Sequence, residues 1–292
     1  MSLPKANENY SIRLSTSTPP HPQGRRLTHR PGAELLDDRT NGDECPAILY
    51  RYVGLGVQPD STDLTERALQ MIRDGAFWFS PPASLNDPCE MAFVESASDL
   101  PSAGNSGMIP LSREVANNRD KCRVCCFTSE WNNGPMWANY ANGQSGICIG
   151  FDTLELRTCF FKVNYSPRDL SGFSGQSGLL LAMTTKTQDW EFEKEWRLVY
   201  PWSLFVQPAN GESVEGLPTD GFALNLFAPI GNDEVITGCH QHLNCRVREI
   251  IFGTDVATED IERIKNIVAA YTGVTLYRAR VGGSIEREPL GL

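Results

Sequence analysis

Long apolar runs, nucleotide-binding glycine signatures and histidines are what this chain has least of. No stretch reaches the about 18 consecutive apolar residues of a membrane span, and the first residues, MSLPKANENYSIRLS, lack the apolar centre of a secretory signal. The expected compartment is a cytoplasm, with no membrane partner. There is no G-x-x-x-x-G-K-[ST], which argues against a P-loop, and Gly54-Leu55-Gly56 has Pro59 where a dinucleotide fingerprint needs its third glycine. No G-x-S-x-G elbow occurs either. Of four histidines, His21 and His29 fall near the start of the chain, which leaves His240 and His242 for a Ser/His or Cys/His arrangement. A hydrolase triad is therefore disfavoured.

What is present bounds the class. The net charge of -10 and pI near 5.0 argue against a protein held to nucleic acid mainly by phosphate contacts. Nine cysteines is an odd number without the spacing of a small disulfide scaffold, so reduced, mostly buried thiols are expected. Cys122 and Cys125 form a C-x-x-C, but in a strand they face opposite sides, whereas a zinc knuckle needs a turn. Cys239, His240, His242 and Cys245 are a denser cluster that lacks a partner pair, and no metal is expected. Residues 1–45 carry few bulky apolar groups and read as a flexible tail. Residues 46–292 read as a single domain.

Along that domain, strands are predicted at 47–53, 76–80, 121–128, 145–151, 159–165, 222–227 and 248–253, with a last one at 274–281. Helices are predicted from Leu64 to Ile72 behind N-cap candidates at 60–63, at 111–120, at 136–141 after Pro135, at 179–188, and at 257–271. The last of these carries Ile261, Ile264, Ile267, Val268 and Tyr271 on one stripe. Many short strands with single helices and no regular βαβ alternation indicate an α+β domain with a split, largely antiparallel twisted sheet and flanking helices.

The stretch from Trp190 to Tyr200, Trp-Glu-Phe-Glu-Lys-Glu-Trp-Arg-Leu-Val-Tyr, organises the functional reading. As one strand it sends Trp190, Phe192, Trp196, Leu198 and Tyr200 to one face, and Glu191, Glu193, Glu195 and Arg197 to the other. Glu193 and Glu195 would then stand roughly 7 Å apart. At that distance one carboxylate raises the other's pKa unless Arg197 offsets it, which is how catalytic acids are tuned. A solvated charged face is the plain alternative.

The chain from about Ile48 to Val268 resembles a bacterial family catalogued as a domain of unknown function. The matching pieces are Leu49-Tyr50-Arg51-Tyr52, Phe77-Trp78-Phe79-Ser80-Pro81, Asn86-Asp87-Pro88 with Glu90, Cys126-Phe127-Thr128, Met136-Trp137-Ala138-Asn139-Tyr140-Ala141, Gly146 to Phe151, Trp190 to Arg197, and Ile250 to Gly253. The departures are Leu85 and Cys89 where the family usually has Phe, and Asn139 where it often has His. The layout of a basic, aromatic first strand, a strand ending in Ser and a late Glu-x-Glu also looks like the NAD-dependent ADP-ribosyltransferases. That second resemblance implies their split-sheet fold and NAD as substrate. It also implies an unidentified protein or nucleic-acid acceptor, and a toxin or defence role with delivery into a target cell and a neutralising or regulatory protein partner.

Carried over residue by residue, the resemblance implies that Arg51 holds the dinucleotide, Ser80 supports the nicotinamide pocket and Glu195 contacts the nicotinamide ribose. Cleaving the glycosidic bond builds positive charge on that ribose, and a facing carboxylate stabilises it most in the transition state. Glu193 would orient or deprotonate the acceptor. Tyr50, Tyr52, Trp137 and Tyr140 are candidates to stack on nicotinamide or adenine, or are simply core. Asn86, Asp87 and Arg197 complete the candidate binding set. Each has a structural alternative: Arg51 pairs with Glu193 or Glu195, Ser80 caps a turn, Asn86 and Asp87 make a turn, and Glu90 is a solvated acid. A non-catalytic nucleotide- or protein-binding module and an NAD glycohydrolase are the competing functions.

Overall fold

The computed structural model describes residues 45–57, 63–91, 115, 119, 122–154, 156, 160–166, 175–200, 239–243 and 245–291. The expected tail at 1–45 apart from Cys45, most of the helix at 111–120 and the strand at 222–227 lie outside them. In chain order the elements are β1 (Ile48–Val53), α1 (Leu64–Asp74), β2 (Ala76–Phe79), β3 (Arg123–Thr128), α2 (Gly134–Tyr140), β4 (Ile147–Asp152), β5 (Phe161–Lys162) and β6 (Asn164–Tyr165). There follow α3 (Gly175–Met183), β7 (Thr185–Lys186), β8 (Glu195–Tyr200), β9 (Cys239–His242), β10 (Val247–Phe252), α4 (Thr258–Val268), β11 (Thr275–Val281) and β12 (Ile285–Pro289).

Eight strands form one sheet in the order β12-β11-β10-β4-β1-β3-β8-β5, antiparallel throughout except for β10 and β11, which are parallel and joined through α4. The alternation of β1, β4 and β10 explains how both faces are covered. Leu49, Ile149, Phe151, Ile250 and Phe252 point into the larger core, while Tyr50, Tyr52, Cys148 and Ile251 point into a smaller one against α2. In the larger core Phe77, Phe127, Phe151 and Phe160 meet at tilted or edge-to-face angles. Each such pair contributes about 1 kcal/mol beyond area burial.

The helix signals act as read. Asp63 accepts from the Glu66 N–H at 3.0 Å, and Gly75, at φ 62°, ends α1 in the left-handed region where a side chain would be strained. Ala68, Leu69, Met71 and Ile72 of α1 and Ile261, Ile264 and Val268 of α4 are buried, and the two helices pack together.

Five readings need correction. Residues 188–193 form a short 3-10 helix, not the first half of a strand, and Lys194 reverses the chain at φ 44° before β8 begins. Alternating apolar and acidic residues cannot distinguish these outcomes over so short a span. The strand expected at 159–165 is divided into β5 and β6, and α3 starts and stops before the expected 179–188. Tyr271 is exposed, its hydroxyl donating to Arg73 O at 2.9 Å, because α4 has already ended at Val268. Finally, β11 is not the last strand: β12 pairs with it antiparallel along Tyr277–Val281.

Candidate functional site

The sheet divides between β1 and β3. Those strands share a single register pair, Tyr50 with Thr128, whereas β1 pairs with β4 over six residues and β3 with β8 over six. Further along β3, the backbone of Val124 is taken instead by Ser80 at the end of β2, with N–H···O distances of 2.8 and 2.9 Å. Between these two attachments lies Cys126, whose carbonyl accepts from Arg51 Nη1 at 3.1 Å. The guanidinium also donates to Cys125 Sγ and, at 3.5 Å, to Trp78 O. Arg51 thus reaches across the division from β1.

A cleft of about 620 Å3 opens there, within the roughly 300–1,000 Å3 usual for small-molecule sites. Arg51 and Val53 of β1, Trp78 of β2 and Ser80 just after it, Arg67 of α1, and Asn139 and Tyr140 of α2 stand around it. Its floor carries Cys126, Lys186, Glu193 and Glu195.

The floor is a buried charge network. On β8, Glu195 and Arg197 share a face, opposite Thr128 and Cys126 of β3. Arg197 is fully buried, donating from Nε to Glu195 Oε1 at 2.8 Å and in a fork to Glu90 at 2.7 and 3.0 Å, and also to Met183 O. Lys186 Nζ stands 2.9 Å from Glu195 Oε2 and 2.5 Å from Glu193 Oε2. Tyr140 donates its hydroxyl hydrogen to Glu193 Oε1, and Tyr165 Oη accepts from the Glu195 N–H at 2.7 Å. Five ionisable groups therefore converge, two cationic and three acidic.

One ammonium cannot neutralise two carboxylates, and the arginine decides which of them keeps its charge. Burial alone would raise Glu195, but Arg197 and then Lys186 outweigh it and hold that carboxyl down at about 2. Burial, and next the charge of Glu195, push Glu193 above the ordinary carboxylate range. The pair is thus driven apart, the pattern by which neighbouring carboxylates acquire different chemical roles. Burial, with the nearby Glu195, also raises the Cys126 thiol well above its usual value, so it is no thiolate nucleophile.

The structure brings Arg51, Ser80, Asn86, Tyr140, Glu193 and Glu195 to one cleft. Asp87 does not line it: it is buried, and its Oδ1 accepts from the Cys89 N–H at 2.8 Å, a turn-forming role. Arg197 lies behind Glu195 and touches no open space. Trp137 is not available for stacking, being fully buried, with its indole N–H donating to Trp131 O at 2.9 Å. Tyr50 and Tyr52 border the cleft, yet their rings belong to the smaller core and their hydroxyls donate to Glu249 and to Glu130 O. Arg51 pairs with no carboxylate among the described residues. Glu90, read as a solvated acid, is buried against Arg197.

Lys186, Cys126, Arg67 and Tyr165 were not singled out. Lys186 sits in Thr-Thr-Lys-Thr-Gln, where nothing local marks it, and Glu90 meets its partner 107 residues away. Among the described residues no group of His, Cys, Asp and Glu is arranged to hold a metal ion.

Fold and floor together define a mixed α/β protein with a mostly antiparallel sheet, opened at a charged cleft. A family model described as a protein of unknown function (DUF2971) matches residues 136–198. That segment includes Met136 to Ala141, Gly146 to Phe151, and the floor residues Lys186, Glu193, Glu195 and Arg197; the pieces at 49–52, 77–90, 126–128 and 250–253 lie outside it. No curated protein and no solved structure matches the chain.

Proposed function

We propose that the cleft binds NAD and that the protein transfers ADP-ribose to a macromolecular acceptor, in the manner of the ADP-ribosyltransferases that its layout resembles. The observation that carries this reading is the meeting of Glu193 and Glu195 at Lys186 on the floor of a cleft that Arg51 also lines. Two carboxylates with opposed proton affinities suit a reaction that builds charge on a sugar and removes a proton from an incoming group. Glu195, held ionised by Arg197, supplies the negative potential that favours the ribosyl cation over the bound ground state. Glu193, with its raised affinity for a proton, takes one from the acceptor, and Tyr140 and Lys186 hold it in place. Arg51 presents donors to a phosphate.

A second reading is a nucleotide-binding module without turnover. It is favoured by the engagement of both Glu195 oxygens with Arg197 and Lys186. NAD labelled in its ADP-ribose half separates the cases. Label on protein or nucleic acid together with free nicotinamide supports transfer, and nicotinamide without labelled macromolecule indicates a glycohydrolase. Binding with no nicotinamide released supports the module. Wild-type release that persists unchanged in Glu193→Gln would falsify the assigned base.

A further inference from the structure

Charge counting in the cleft points to a residue that neither the resemblance nor the sequence reading assigned. Lys186 and Arg197 are bonded to Glu90, Glu193 and Glu195, so the buried network holds no unmatched cation. Two arginines lining the cleft stand outside that balance. Arg51 is bonded to carbonyls and a sulfur and faces no carboxylate among the described residues. Arg67, exposed on the first turns of α1, has none either: its guanidinium lies 5.5 Å from the ring centroid of Trp78, a contact that steadies a cation without cancelling its charge. The same Trp78 offers its carbonyl to Arg51, so one residue braces both arginines.

Like charges lining a cleft in a chain of net charge -10 are not left there by a general basic surface. They set up a local positive potential that an anion relieves, and guanidinium forks match phosphate oxygens. Resting on the reading that the cleft takes a nucleotide, we infer that Arg67 and Arg51 form a diphosphate subsite, with Arg67 the outer arm of the clamp. The ligand is then oriented. Its phosphates lie along the α1 and β2 wall, and its glycosidic carbon lies inward over Glu193 and Glu195.

Calorimetric titration with ADP and with adenosine tests the subsite apart from any catalysis. Wild-type protein is expected to bind ADP more tightly than adenosine, with ADP affinity falling as salt is raised between about 50 and 300 mM. Arg67→Ala should weaken ADP about tenfold and leave adenosine unchanged, and Arg67→Lys should recover part of the loss. Arg248→Ala, an exposed arginine paired with Asp152 outside the cleft, should behave as wild type. The subsite is overturned if wild-type protein fails to bind ADP, if its ADP affinity ignores salt, or if Arg67→Ala loses ADP and adenosine alike. ADP binding of this kind without nicotinamide release leaves the subsite standing and removes the enzyme. Release of nicotinamide with an unchanged KM in Arg67→Ala does the reverse.

Discussion

Glu90 and Glu193 belong to one buried network, yet removing their charges should have opposite consequences for stability. Glu90→Gln leaves Arg197, fully buried and forked onto Glu90 at 2.7 and 3.0 Å, with Glu195 as its remaining carboxylate partner. Breaking a buried pair from one side costs about 3 kcal/mol or more, or roughly 6 to 12 °C in Tm for a domain of this size. Glu193→Gln instead mimics the protonated acid: the amide oxygen still accepts from Lys186, and the amide nitrogen can donate to Tyr140 Oη. The sign follows from linkage. A carboxyl whose folded pKa lies above its unfolded value contributes stability that is complete below the unfolded pKa and is lost as pH rises through the folded one. The glutamine variant has no such charge to gain, so it should match wild type near pH 4 and equal or exceed it at pH 8. Urea unfolding of both variants at the two pH values checks this. Equal losses for the two, or a Glu193→Gln deficit that grows with pH, would refute the reasoning that the network keeps Glu193 short of charge.

Three further outcomes are expected. Tyr140→Phe removes a donor that lowers Glu193, so the rising limb of the pH dependence of nicotinamide release should move to higher pH, with the rate at neutral pH down about tenfold; an unmoved limb counts against the contact. Between the unfolded value near pH 4.3 and the folded value of about 2, stability from Glu195 should be lost as the solution is acidified, because its folded pKa is depressed. Glu195→Gln should flatten that part of the stability curve, and a curve of unchanged slope would contradict the assignment. Gly253→Ala would set a Cβ 2.0 Å from the Gln144 carbonyl oxygen and should cost about 3 kcal/mol or more by chemical unfolding; a well-folded, equally stable variant would deny that close approach.

Much of the scaffold was legible because its signals are local. The alternation in β1, β4 and β10, the Asp63 cap and Gly75 stop of α1, and the Ile261, Ile264 and Val268 stripe of α4 each involve residues a few positions apart. The missed strand β12 is the opposite case. Ile-Glu-Arg-Glu-Pro has the charges and proline of a sheet edge, and β12 occupies that edge. In the site, Glu195 and Arg197 share a face as the period of a strand requires. Glu193 reaches the same floor by another path, from the end of a 3-10 turn and through Lys194. Lys186 was invisible and Glu90 read as a solvated acid, since what identifies each of them is a partner brought close by folding.

The single rung between β1 and β3 has a mechanical consequence. One half of the sheet, β1 with β4, β10, β11 and β12, and the other, β3 with β8 and β5, are fastened there at Tyr50 and Thr128 and braced by the arm of Arg51. A molecule lodged in the gap bonds to both halves and serves as the rungs the backbone leaves out. Occupancy would then act as a splint, raising the melting temperature in proportion to the logarithm of ligand concentration, so that the fold itself reports whether its gap is filled.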